Sequence, residues 1–198
     1  MSTIAIVYFS ANGHTHLMAQ AIAEGVQKAG HSAQLLRIVG QQITDGRWGD
    51  ADMMAALSMA DAIVFGSPTY MGGVAAQFKA FIDAASEAWF VQQWKDKIAA
   101  GFTHSSSLSG DKQSTLIYMA VNAAQHSMHW VNVGDMPSHY AGKTDGVNRL
   151  GSFMGVMGQS EMATDDDDGA IDAGDRLTCL SFGERLARVT HQWTATVS

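Results

Sequence analysis

Six apolar residues in a row, Ile4-Ala5-Ile6-Val7-Tyr8-Phe9, stop abruptly at Ser10-Ala11-Asn12-Gly13-His14-Thr15. A strand with one face in water alternates apolar and polar residues, whereas an unbroken run needs cover on both faces. Leu17, Met18, Ala21, Ile22, Val26 and Ala29 then recur at helical spacing, and Gly30 offers a stop. The chain therefore opens as a buried strand feeding a helix, and the same grammar repeats downstream. Ser32 to Val39 reads as a second strand. Asp50 or Asp52 caps a helix carrying Met53, Met54 and Leu57. Ala62 to Gly66 is a short third strand, followed by a helical stripe of Val74, Phe78, Phe81, Ile82 and Ala85. Ile98 to Thr103 is a fourth strand, and Ser109-Gly110-Asp111 introduces a helix through about Ala124.

His129 to Val133 starts a fifth strand, and Phe153 to Met157 is a further short apolar piece. Between them Gly134 to Ser152 lacks periodicity and reads as a loop or insertion. Asp165-Asp166-Asp167-Asp168 reads as a solvated loop, and Asp172 to about His191, with Leu177, Leu180 and Leu186, as a closing helix. Strands alternating with helices imply right-handed βαβ crossovers and an α/β fold on a parallel sheet. The 198 residues suit one domain spanning 1–198.

The net charge of -7 argues against nucleic acid as a partner, since phosphate backbones are met by clustered Lys and Arg. No apolar run approaches the ~20 residues of a membrane span, and no signal segment opens the chain, so a cytoplasmic protein without a membrane partner is expected. The single cysteine, Cys179, excludes an internal disulfide and reads as a buried thiol. His126 and His129 have metal-ligand spacing but lack a third ligand, so no metal is expected.

In parallel sheets ligands gather beyond the carboxyl ends of the strands. Three polar segments fall there. Ser10 to Thr15 offers hydroxyls, a flexible Gly13 and the amides of a helix start, a ready cradle for a phosphate without Lys or Arg. It carries neither the glycine fingerprint of dinucleotide sites nor a P-loop. Gly66-Ser67-Pro68-Thr69-Tyr70-Met71-Gly72-Gly73 places an aromatic ring and a polarisable sulfur at a tip where a flat heteroaromatic ligand would pack. Thr103-His104-Ser105-Ser106-Ser107-Leu108-Ser109-Gly110 lines the opposite side. Each segment alone is also readable as an ordinary loop.

The pairing of Ser10-x-x-Gly13-His14-Thr15 with Gly66-Ser67-Pro68-Thr69-Tyr70 resembles the flavodoxin-like superfamily. Within it, the chain is most similar to FMN-dependent NAD(P)H:quinone oxidoreductases of the tryptophan-repressor-binding protein type. Ala76-Gln77, Phe81-Ile82-Asp83 and Gln125-His126-Ser127-Met128 extend the likeness along nearly the whole chain. The resemblance implies a three-layer sandwich around a five-stranded parallel sheet of order 2-1-3-4-5, with FMN as cofactor. It assigns Ser10, Asn12, Gly13, His14 and Thr15 to the FMN phosphate. Pro68, Thr69, Tyr70, Met71 and Gly72 fall to the isoalloxazine, and Thr103 to Gly110 (including His104, Ser105, Ser106 and Ser107) to the ribityl chain and the other ring edge. His126 falls where the family has a histidine near the flavin, with Tyr70 its companion at the reacting face, and Trp89 where a tryptophan lines the substrate side. The family's third loop is glycine-rich where this one is serine-rich, and Tyr70 stands where close relatives often carry arginine.

The implied chemistry is hydride transfer from NAD(P)H to FMN and then two-electron delivery to a quinone-like acceptor. NADH and NADPH are both open, and a homo-oligomer, dimer or tetramer, is implied. A flavodoxin-type electron carrier, an FMN reductase releasing reduced flavin, and a flavin-free scaffold are the competing readings.

Overall fold

The structure is a computed structural model that describes residues 1–161 and 170–197; the acidic run Asp165 to Asp168 lies outside the described residues. In chain order the strands are β1 (Thr3–Phe9), β2 (Ser32–Ile38), β3 (Ile43–Thr44), β4 (Arg47–Trp48), β5 (Ala62–Tyr70), β6 (Gly73–Val74), β7 (Ile98–Ser105), β8 (His129–Trp130) and β9 (Val156–Gln159). The helices are α1 (His14–Lys28), α2 (Ala51–Met59), α3 (Ala76–Ala84), α4 (Ser86–Phe90), α5 (Lys112–Gln125) and α6 (Ala173–Val197).

The main sheet runs β2-β1-β5-β7-β8, with every neighbour parallel. β9 shares β7 with β8: residues 129 and 130 pair with Ile98 and Ala99, while Val156 to Gln159 pair with Phe102 to Ser105. The fifth strand of the expected 2-1-3-4-5 order is thus one edge strand in two pieces, and the fold is flavodoxin-like as expected. Its interruption closes on itself, because the Val133 amide donates to the Phe153 carbonyl (3.1 Å) and the Trp130 indole N–H to the Met154 carbonyl (2.8 Å).

The apolar run of β1 is unbroken because both of its faces are covered. Ile4, Ile6 and Tyr8 pack with Met18, Ile22 and Val26 of α1 and Phe182 and Leu186 of α6. Ala5, Val7 and Phe9 belong to the opposite core, with Leu57 of α2, Phe78 and Phe81 of α3, and Leu116 and Met119 of α5. This two-residue alternation is the strand period dividing one sequence run between two layers. Asp50 rather than Asp52 caps α2, its Oδ1 accepting the Met53 amide at 2.9 Å. Cys179 is buried, and burial pushes its thiol pKa up.

Helices α1 and α6 approach through a reciprocal pair of glycines. A Cβ on Gly25 would lie 2.1 Å from the Leu180 carbonyl oxygen, and one on Gly183 would lie 2.1 Å from the Ile22 carbonyl oxygen. Only hydrogen fits at either place. This crossing sets where the N-terminus of α1 stands over the carboxyl end of the sheet. Among the described residues no helix is long and apolar enough to cross a membrane.

Candidate functional site

Because the strands are parallel, β1, β5 and β7 end on the same edge of the sheet. The three polar segments meet there around a cavity of about 180 Å³. Its floor and walls come from Ser10 to Asn12 with His14 and Thr15, from Pro68 to Tyr70, and from His104 to Ser106, with Glu161 at the rim.

Gly13 precedes α1 with φ of 89°, a left-handed turn that glycine adopts without strain and that swings the chain into the helix. Gly13, at the N-cap, has no side chain with which to cap the first turn. Ser10 Oγ instead accepts the His16 amide (3.2 Å), and the Leu17 amide returns to the Gly13 carbonyl (3.0 Å). The amides of His14 and Thr15 come too early in the helix to find a carbonyl one turn back, so they offer donors to an anion. His14 adds a buried Nε2 that has no hydrogen-bond partner. A buried orphan polar atom costs stability unless a ligand or water satisfies it. These features fit a phosphate.

His14 stacks on His104, ring centroids 4.5 Å apart and planes within 2°. Burial first, and then the nearby His14, Lys112 and Arg149, lower the His104 pKa to about 3, so that ring is neutral at pH 7. Its Nε2 lies 2.9 Å from Ser160 Oγ. Behind the cradle, the Arg37 guanidinium donates to the Ser10 carbonyl at 3.0 Å. Arg37 brings a cation to a segment that, read alone, holds none. Its signal was its place near the carboxyl end of the second strand, where parallel pairing sets it opposite Tyr8.

The second segment is not a loop. β5 continues through Ser67, Pro68 and Thr69 to Tyr70 and returns as the short antiparallel β6. Ser67 Oγ donates to the Pro68 carbonyl (2.8 Å) and accepts the Ala75 amide (2.9 Å), which locks the turn. Thr69 Oγ1 is within 2.8 Å of both Thr103 Oγ1 and Thr115 Oγ1. Buried Thr103 thus braces the strands rather than lining the cavity. Tyr70 is 46% exposed at the mouth, and burial of the rest of its ring raises its pKa. Met71, with φ of 48°, projects fully into solvent beside Gly72.

The third segment holds its shape around a lysine that sequence reasoning passed over. Lys112 Nζ donates to Ser105 Oγ and to the carbonyls of Ser107 and Leu108. From the other side the Gln159 side-chain amide donates to the Ser106 carbonyl at 2.8 Å. Arg149, within the insertion, donates to the Gln159 carbonyl and forks onto Asp175 of α6. A basic residue in the first turn of a helix, where the helix dipole disfavours it, was the available sign of Lys112. Gly110 and Ser107 do not line the cavity; the Ser107 carbonyl accepts from Lys112 instead.

The chain does not bring His126 or Trp89 to the cavity. α5 starts beside the third segment and runs back along the sheet, so its fourteen residues carry His126 about 20 Å away. There the Asp96 amide donates to the Ser127 carbonyl, and His129 pairs with Ile98, the first residue of β7. His126 is 3% exposed and lies over Trp94 with centroids 4.4 Å apart. Burial lowers its pKa to about 4, and its Nδ1 lacks a partner. Trp89, in α4, lies on the chain leading into the start of β7 and is 42% exposed. Within one chain neither reaches Tyr70, because a helix following a strand in a βαβ unit returns to the opposite edge.

The sequence profile of the NADPH-dependent FMN reductase family matches residues 3–143. The chain is 43% identical over 194 residues to Flavodoxin FldP of Pseudomonas aeruginosa, covering 97% of this chain and 98% of that one. It is 30% identical over 184 residues to an NAD(P)H dehydrogenase (quinone) of Geobacter sulfurreducens, 83% and 89% of the two chains. Among solved structures it is similar to the flavodoxin, WrbA-like protein from Agrobacterium tumefaciens. That likeness has a TM-score of 0.75 at 40% identity, over 97% of this chain and 99% of the other.

Proposed function

The chain belongs to the NADPH-dependent FMN reductase family, and on that premise we propose that it is an FMN-dependent oxidoreductase passing electrons from NAD(P)H to a quinone-like acceptor. The observation that carries this reading is the start of α1, whose N-cap glycine caps nothing, with the orphaned His14 Nε2, facing a half-exposed Tyr70 across one cavity. The Ser10 and Thr15 hydroxyls, His14 and the first-turn amides hold the FMN phosphate. Pro68, Thr69 and Tyr70 lie along the flavin ring, with Met71 and Gly72 at the solvent side. His104, Ser105 and Ser106 close the other wall. When bound, FMN supplies reversible two-electron redox chemistry. The protein's own tasks are to orient the ring, leave one face open beside Tyr70, and offer donors where negative charge develops.

His126 and Trp89 enter this reading only through a homo-oligomer, a dimer or tetramer that sets one copy's far edge against another copy's cavity. Trp89 is followed by the exposed Phe90 and Val91, an apolar surface suited to such a contact. A second reading, a flavodoxin-type electron carrier, is favoured by the 43% identity to a flavodoxin and accommodated by the net charge of -7.

Purified protein with a yellow flavin spectrum, and apoprotein that regains it with FMN, is the expected result. Ser10→Asp combined with Thr15→Glu should abolish FMN binding while circular dichroism stays unchanged; undiminished flavin content would refute the cradle. NAD(P)H consumption that accelerates when a quinone is added supports the enzyme, and no consumption under either condition selects the carrier.

A further inference from the structure

Lys112 opens α5, yet its side chain has no exposed surface. Its ammonium donates to Ser105 Oγ at 2.9 Å, the Ser107 carbonyl at 2.6 Å and the Leu108 carbonyl at 3.0 Å. Three N–H groups meet three acceptors, so the inventory is complete. None of the acceptors is charged. The carboxylate that attracts it, Asp175, is already held by Arg149 through two bonds of 2.8 Å and by the Gln159 amide at 2.9 Å. Arg149, the other charged group acting on it, is a cation and repels.

A buried cation with no contact ion pair, placed at the positive end of a helix, opposes both solvation and the helix dipole. Burial accordingly pulls its pKa down to about 8. An apolar side chain would fill the same space without burying a charge, at the cost of leaving three acceptors without this donor. Costly arrangements concentrate at functional sites, and here the residue that the ammonium grips, Ser105, is itself cavity wall.

We propose that Lys112 is a positioning residue for the cofactor: it gathers the acceptors of residues 105–108 so that the third loop is shaped before FMN arrives, and its unpaired charge behind the cavity wall favours the anionic reduced flavin over the neutral oxidised one. This inference rests on the FMN reading above. The trans peptides of Ser107-Leu108 and Leu108-Ser109 point their carbonyls at the ammonium and hence their N–H groups away from it. Lys112 thereby sets loop shape and local charge together, without touching the ligand.

The test compares wild type with Lys112→Met in three measurements: unfolding midpoint of the apoprotein, FMN affinity by fluorescence quenching, and flavin midpoint potential by dye-linked reduction with dithionite. In the variant the apoprotein should change little in stability, since the three lost hydrogen bonds are offset by relief of the buried charge. FMN affinity should fall about tenfold. The preference for reduced over oxidised flavin should also fall about tenfold, which for a two-electron couple is ~30 mV toward more negative potential. A purely structural lysine would lower apoprotein stability and leave the potential where it was; an unmoved potential in a variant that binds FMN overturns the inference. Should Lys112→Met not fold, Lys112→Gln removes the charge while keeping donors and is judged by the same potential. Wild type that binds no FMN fails at the first step, which overturns the cofactor reading and the inference with it.

Discussion

Replacing Gly183 with alanine tests how the fold holds its cofactor cradle. Alanine in an ordinary helix interior gains about 0.8–1 kcal/mol over glycine. At Gly183 the added Cβ would meet the Ile22 carbonyl oxygen at 2.1 Å and the Val26 amide nitrogen at 3.0 Å. Carbon and carbonyl oxygen settle at about 3.3 Å or more, so α1 and α6 must part by roughly 1 Å. Forcing a packed interface to accept a methyl group costs about 1–3 kcal/mol. Set against the helix-propensity gain, the middle of that range leaves Gly183→Ala with a net loss of about 1 kcal/mol despite the better helix former. At about 2–4 °C per kcal/mol for a chain of this size, Tm falls by roughly 2–4 °C in differential scanning calorimetry. Gly25→Ala should behave alike, and the double variant should cost less than the sum, because one parting of the helices relieves both clashes. FMN affinity should fall with stability, since the first turn of α1 moves with its helix. An unchanged or higher Tm in Gly183→Ala would refute the close-approach argument.

Three further outcomes are expected. His126 has a folded pKa of about 4 against 6.5 when unfolded, so the unfolded chain takes up the proton first on acidification; its contribution is complete above pH 6.5 and drains away as pH falls toward 4. Urea unfolding at pH 7 and pH 4.5 should show His126→Gln losing about 2 kcal/mol less than wild type over that interval. Arg149→Met leaves the buried Asp175 carboxylate without its two-bond partner and should cost about 3–5 kcal/mol, much of it restored by adding Asp175→Asn. Asp50→Ala removes the cap of α2 and should cost about 1 kcal/mol in the same denaturation assay.

The parallel sheet was legible because buried strands announce themselves as short unbroken apolar runs. β1, β5 and β7 all read this way, and even the split fifth strand left two apolar fragments with a patternless stretch between them. The hairpin of β3 and β4 was not legible, since two-residue strands carry no period. Ser67 to Tyr70 read as a loop from its composition, yet it continues a strand whose hydroxyls are satisfied by neighbours distant in sequence. Ser10 to Thr15 were legible as a helix start because helix starts have local chemistry, and the structure sets Ser10, His14 and Thr15 around one cavity. Lys112 and Arg37 were not legible, because most of their partners, the backbone acceptors of Ser10, Ser107 and Leu108, belong to no residue type. His126 and Trp89 were assigned by likeness to a family; the chain returning from β7 through α5 carries His126 to the far edge, and the chain returning from β5 through α3 and α4 carries Trp89 there.

The break in the edge strand divides the insertion into two parts with different freedom to vary. Its ends are already joined at Val133 and Phe153, so lengthening or trimming the outer residues costs only about 0.6 kcal/mol per doubling of the loop. Residues 148 and 149 are bound to α6, through Thr178 and Asp175, and Arg149 reaches through Gln159 to the wall of the cavity. Relatives sharing this architecture can thus change the size of the outer insertion while its base, tied to α6 and through Gln159 to the cavity wall, stays constant.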